Sequence, residues 1–232
     1  MSDLLGELGT LISSRAAQRD EPRTTVRRRR IVVVVVLVLG AVLLGFSLNQ
    51  QPGDALFYWL TLALAAVWAL GAWASGPLHL GKLRFRARER RPVITGTLIG
   101  LLVGAAFIVG ALVVRQLPPV RDYIVQVLQF ANYGPLGLVV FITVINGVAE
   151  EMFFRGALYT AFGKAYPVAL STVVYMVAVS AAGNPMLGFA GLILGAVCAY
   201  ERRMTGGVLA PMLTHFFWGL VMVLALPPIF GV

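Results

Sequence analysis

The chain has 232 residues, of which 59% are hydrophobic and 12% charged, with a formal net charge of +9 and one cysteine. A soluble domain is usually about a quarter charged, so this composition excludes an ordinary water-soluble enzyme and points to the membrane class. The lone Cys198, set in an apolar run, excludes a disulfide framework and a cysteine metal site.

Residues 1–30 form a basic N-terminal segment. Leu4, Leu5, Leu8, Leu11 and Ile12 recur there at helical spacing, which predicts a short amphipathic surface helix, with a disordered tail as the alternative. Arg27 to Arg30 lead into the valine run Val32 to Val36 and an apolar stretch from Ile31 to Leu48. That stretch is too long for a secretory signal and no small-residue cleavage site follows it, so it reads as an uncleaved membrane helix. A second apolar run spans Ala55 to Ser75. After the basic loop from Gly76 to Pro92, a third spans Ile94 to Val114. These three helices carry almost no ionisable residue within their spans, so residues 31–134 read as a plain N-terminal part of lipid-facing or packing helices. Within Pro118 to Gly134, the spacing of Val120, Ile124, Val127, Leu128 and Ala131 predicts a surface helix.

The C-terminal core, residues 135–226, is different. A fourth run extends from Pro135 to about Phe162 with polar interruptions. Two shorter runs, Val168 to Ala182 and Met186 to Tyr200, flank a Gly183-Asn184-Pro185 turn, and either could be a short or re-entrant helix. Gly191, Gly195 and Ala199 make a small-residue stripe that reads as a helix-packing seam. The last run is Val208 to Leu226, followed by a tail, residues 227–232. The fold class expected is all-α: a polytopic membrane helix bundle of about seven transmembrane helices, each long enough to satisfy its backbone without water.

Charge placement gives the orientation. Arg15, Arg19, Arg23 and Arg27 to Arg30 precede the first run, and Lys82, Arg84, Arg86, Arg88, Arg90 and Arg91 follow the second. Lys164, Arg202 and Arg203 fall in later loops on the same side, while the opposite side carries only Arg115 and Arg121. The positive-inside rule then predicts an integral membrane protein with a cytoplasmic N-terminus and an external C-terminus. Attraction of basic juxtamembrane segments to anionic lipid accounts for the charge, so the expected partners are the lipid bilayer and a membrane protein or peptide, and no nucleic acid.

Four ionisable side chains fall at membrane depth: Glu150, Glu151, Arg155 and His215. A charge at the bilayer centre costs about 2.5–3.5 kcal/mol on insertion scales, so each needs an internal partner. Glu151 and Arg155, spaced i,i+4 with the acid first, are expected to pair within their helix. Glu150 points ~100° away and lacks such a cation, with Asn146 one turn earlier on its face. His215 lies about a turn and a half from the level of Glu150, so a tilted pair of helices would let them meet. A carboxylate and an imidazole meeting in a wet cavity can activate water by general-base catalysis. The competing reading is structural: Glu150 hydrogen-bonding a neighbouring helix and His215 packing.

The run Glu150-Glu151-Met152-Phe153-Phe154-Arg155-Gly156 resembles the EExxxR signature of the CPBP family, the type II CAAX prenyl proteases and bacteriocin-processing or self-immunity proteins. The closing segment Gly206 to His215 is similar to that family's last motif, and the likeness covers roughly Pro135 to Leu226. The resemblance implies an intramembrane endopeptidase, with Glu150 as general base, Glu151 and Arg155 holding the helix geometry and His215 helping to bind the oxyanion. Asn146, on the face of Glu150, is a further supporting candidate, and a bacterial plasma membrane is the expected location. Two positions depart from the family. Tyr175 to Val179 stands where F-x-x-x-H is usual, with Val179 in place of histidine, and Gly219 stands where the last motif usually ends in Asn or Asp. Catalytic zinc usually takes three protein ligands, and this chain offers at best one histidine and two acids with no HExxH helix. A tightly held zinc is therefore not expected, a divalent metal such as zinc stays an open alternative, and no other cofactor is expected. Three functions remain open: a divergent protease, a pseudoprotease that binds a membrane partner or confers immunity, and a transporter or proton relay.

Overall fold

The computed structural model describes Ala16, residues 21–85 and residues 88–232. The surface helix expected near residues 4–12 lies outside them, as do Arg15, Arg19 and Arg86. The described residues form eight helices: α1 (Arg23–Leu48), α2 (Ala55–Ser75), α3 (Val93–Val114), α4 (Pro118–Asn132), α5 (Leu136–Ala161), α6 (Pro167–Ser180), α7 (Pro185–Thr205) and α8 (Leu209–Phe230). A two-stranded antiparallel ribbon, β1 (Leu83–Phe85) with β2 (Arg88–Arg90), interrupts the basic loop between α2 and α3.

The protein is an all-α membrane bundle. Five helices, α1, α2, α3, α5 and α8, are long and apolar enough to cross a membrane. The seven spans expected therefore stand at five on these criteria. The 14 residues of α6 rise only about 21 Å, and α7 ends in Glu201, Arg202 and Arg203. Two boundaries also move. α1 starts at Arg23, so Arg27 to Arg30 are part of the helix rather than a lead-in. α8 runs past Leu226 through Pro227 and Pro228 to Phe230, so the expected tail is mostly helix. Proline's φ suits the α region, but each of the two removes an N–H and with it one i→i−4 hydrogen bond from this last turn. Gly231, in the left-handed region, then stops the helix by donating to the Pro227 carbonyl.

Glycines decide how closely these helices pack. On α3, Gly96, Gly100 and Gly104 face α8: a Cβ at Gly96 would fall 2.6 Å from the Ala210 carbonyl oxygen, and one at Gly100 2.6 Å from that of Thr214. In the same way Gly40 of α1 receives the Trp68 ring of α2, and Gly71 receives Val36. Lipid tails are as apolar as leucine, so such contacts hold helices together mainly by van der Waals packing. The largest buried cluster centres on Trp68, Phe153, Phe154 and Tyr175, where α1, α2, α5 and α6 meet.

The basic loop is stitched to the start of α8. Lys82 N–H donates to the Thr205 carbonyl, while Val208 and Leu209 N–H donate to those of His79 and Leu80. A Cβ at Gly207 would sit 1.9 Å from Gly81 N, so only glycine permits this approach. Among the basic residues Arg29 is fully buried, bonded to Glu21, Ser75 Oγ and the Pro77 carbonyl.

Candidate active site

The polar site grows out of α5, whose C-terminal half changes pitch. Residues Leu136–Glu151 are α-helical, and Met152–Leu158 form a wider π-helical segment. Single π turns are rare and recur at functional sites. Here the wider segment is braced from outside: Arg202 Nε of α7 donates to the Arg155 carbonyl at 2.8 Å, with its guanidinium over the Tyr159 ring. Arg202, counted from the sequence as a loop charge, is thus an inward-turned part of the site's frame.

Glu151 is completely buried and its Oε1 accepts from Arg155 Nη1 at 2.8 Å, the i,i+4 pair expected from the sequence. Arg155, equally buried, uses Nη2 to donate to the Gly195 carbonyl at 2.9 Å. Its guanidinium carbon lies 4.5 Å from the centroid of the Tyr175 ring, a cation–π contact strengthened by exclusion of water. The Gly191–Gly195 seam is what admits these groups. A Cβ at Gly195 would come within 3.0 Å of Tyr175 Cδ1 and 3.1 Å of Arg155 Nη2. The stripe read as helix packing is also a wall of the site.

His215 departs from the expectation. Its Nδ1 lies 3.0 Å from Glu151 Oε1, so the imidazole is hydrogen-bonded to the second glutamate rather than the first. Residue 147 explains this. Gly147 and Glu151 are one turn apart on the same face of α5, and the ring of His215 lies against the glycine, where a Cβ would fall 2.8 Å from its Cδ2. An imidazole seated on Gly147 meets the residue one turn on. Trp218, with its ring centroid 5.6 Å away, packs edge-on against the histidine.

Glu150 bonds elsewhere. Its Oε2 accepts from the Tyr175 hydroxyl at 2.7 Å, and the side chain is only partly buried. The two adjacent acids therefore have different environments: Glu151 sealed and shared between two nitrogen donors, Glu150 held by one hydroxyl. Asn146 braces α5 against α2, its Nδ2 donating to the Thr61 and Ile142 carbonyls. Its buried Oδ1 has no partner among the described residues.

Sequence reasoning missed three contributors. Tyr175 entered only as the counterpart of a phenylalanine, although its hydroxyl was the visible signal. Gly147 gave no signal before the histidine's position was known. Glu201, near the end of α7, is also buried: its Oε1 lies 2.9 Å from Thr214 Oγ1, which in turn lies 3.0 Å from the Gly96 carbonyl oxygen. This links α3, α7 and α8 next to His215.

The two family positions that depart are apolar in space as well. Val179 is half-buried, packed at Gly191, and Gly219 faces Thr143 across α5. Among the described residues no three His, Cys, Asp or Glu side chains converge as a metal site. With Nδ1 of His215 and Oε1 of Glu151 bonded to each other, Nε2 of His215 and the Glu150 carboxylate are the donors left to face a metal, fewer than the three protein ligands a catalytic zinc usually takes.

Residues 132–221 match the family model described as Type II CAAX prenyl endopeptidase Rce1-like. No curated protein and no solved structure matched the chain.

Proposed function

We propose, from the premise that residues 132–221 belong to the CPBP family of type II CAAX prenyl endopeptidases, that this integral membrane protein is an intramembrane endopeptidase using a water activated by Glu150. The observation that carries the reading is the unequal treatment of the two acids. Glu151 takes both Arg155 Nη1 and His215 Nδ1 on Oε1, and its Oε2 is buried away from solvent, so water has no access to it as a proton acceptor. Glu150 has one hydroxyl partner on Oε2, leaving Oε1 free to take a proton.

In this mechanism Glu150 removes a proton from water as the oxygen attacks the scissile carbonyl carbon. Tyr175 fixes the carboxylate's direction. Glu151 holds the His215 ring through Nδ1–H, which is the supporting role a buried acid plays for a catalytic imidazole. With Nδ1 so engaged, Nε2 is a donor to the oxyanion when the ring is an imidazolium. Glu150 then returns its proton to the leaving amine. The basic segments support a cytoplasmic N-terminus for this reading, and reporter fusions after residues 90 and 232 are expected on opposite sides of the membrane.

A second reading has its own observation. With Val179 and Gly219 apolar, the site lacks two polar groups usual in the family, which suits a pseudoprotease that binds a membrane partner without cutting it. Purified protein assayed on a quenched, prenylated CAAX peptide separates the two. The endopeptidase predicts weak cleavage, abolished by Glu150→Gln and raised by Val179→His, and further by adding Gly219→Asn. Cleavage indifferent to Glu150→Gln rejects the glutamate base. Folded variants that are all inactive favour the partner-binding protein.

A further inference from the structure

The arginines of α1 serve two directions. Arg29 turns inward and is spent on Glu21, Ser75 and the Pro77 carbonyl. Arg23, Arg27 and Arg30 turn outward and, with Val26 and Ile31, line a recess of about 390 Å³. At ~100° per residue these three arginines fall within about 60° of arc on one face of the first turns, whereas Arg28 lies well off that face. Arg30 is tied down, its Nε donating to the Ala161 carbonyl at the end of α5 at 3.3 Å. Among the described residues no carboxylate pairs with the three, and Glu21, the nearest in sequence, is committed to Arg29.

A second observation says what the recess is for. The same face of α1 continues below the arginines as Ile31, Val34 and Val38, exposed to 56%, 62% and 58%. The charged recess thus opens where the apolar span begins, the level of the headgroup and acyl boundary for a helix that crosses a bilayer. Guanidinium groups match phosphate oxygens in geometry and charge. A free phosphate would use the arginines alone, whereas a phospholipid would use the arginines and the aliphatic stripe beneath them.

We propose that this recess is a binding site for the phosphate of an anionic phospholipid, one acyl chain of which lies along Ile31, Val34 and Val38. The test uses the full chain, delipidated in mild detergent and titrated with dioleoylphosphatidylglycerol, dioleoylphosphatidylcholine or inorganic phosphate. Occupancy of the first site is read by native mass spectrometry and stabilisation by the melting temperature. Phosphatidylglycerol is expected to bind at least tenfold more tightly than phosphatidylcholine. Replacing Arg23, Arg27 and Arg30 together by glutamine should weaken it roughly tenfold to a hundredfold, given the attraction of each surface arginine to anionic lipid. The charge-matched variant Arg28→Gln with Arg88→Gln and Arg90→Gln should bind as the parent does. Equal losses in the two triple variants would show attraction to net charge alone and overturn the site. Inorganic phosphate binding as tightly as the lipid would assign the recess to a free anion and overturn the lipid. If the first triple variant fails to fold, Arg23→Gln and Arg27→Gln singly, each expected to weaken binding about fivefold, carry the same comparison, and equality with Arg28→Gln overturns the proposal.

Discussion

The two halves of this bundle each bury an arginine, and they do so in different ways. In α1–α4 the buried cation is Arg29, at the basic end of α1, and its partner Glu21 keeps 13% of its side chain in contact with solvent. In α5–α8 the buried cation is Arg155, inside a span, and both it and Glu151 are fully sealed. Elsewhere the first half is joined by shape, with Trp68 in the notch at Gly40 and Val36 against Gly71. The second half adds hydrogen bonds between helices, from Tyr175 to Glu150, Arg155 to Gly195, Arg202 to Arg155 and His215 to Glu151. Polar groups at depth have no bulk water to turn to, so each member of this network depends on several others, while Glu151 Oε2, Arg155 Nε and Asn146 Oδ1 keep no partner among the described residues. A polar group at the rim can fall back on water.

That contrast can be broken first at the arginines. Arg155→Ala should leave Glu151 as an uncompensated buried charge and cost about 3–5 kcal/mol, seen as loss of accumulation or a large fall in melting temperature in detergent. Arg29→Ala, whose acid can rehydrate, should cost only about 1–3 kcal/mol. Equal falls would mean that depth does not distinguish the two halves.

A steric change at the site should next separate activity from stability. Gly147→Ala puts a methyl against the His215 ring, where the Cβ would be 2.8 Å from Cδ2. Misplacing a positioned group by about 1 Å can lower turnover about 10²-fold, so cleavage of the peptide should fall by that order while the melting temperature changes little. The matching change in the first half, Gly40→Ala, drives a methyl into the Trp68 ring. Overpacking of that kind costs about 1–3 kcal/mol, so the melting temperature should drop with specific activity of the folded fraction unchanged. The smallest effects are expected at Gly110 and Gly137, where an added Cβ meets nothing within 4 Å. Alanine at either helical position should stabilise slightly, by up to about 1 kcal/mol of helix propensity. A loss at Gly137 but not Gly110 would reveal a packing partner peculiar to the second half.

What could be read in advance from the chain was whatever depends on near neighbours. Apolar run length fixed the membrane class, and i,i+4 spacing placed Arg155 on Glu151, because a helix turn makes that contact whatever the rest of the fold does. The α4 helix at Pro118–Asn132 was legible for the same reason. Which acid meets His215 was not. Adjacent residues on a helix differ by ~100° in direction, so the choice between Glu150 and Glu151 depends on how α8 is rotated against α5. That rotation is set by the bare surface of Gly147, and the faces further along α5 are shifted again by the π-helical segment. The double use of the Gly195 seam, and the inward turn of Arg202 and Arg29, were decided likewise by packing between distant segments. Local spacing states which groups a helix carries on each face; only the packed bundle states what each face meets.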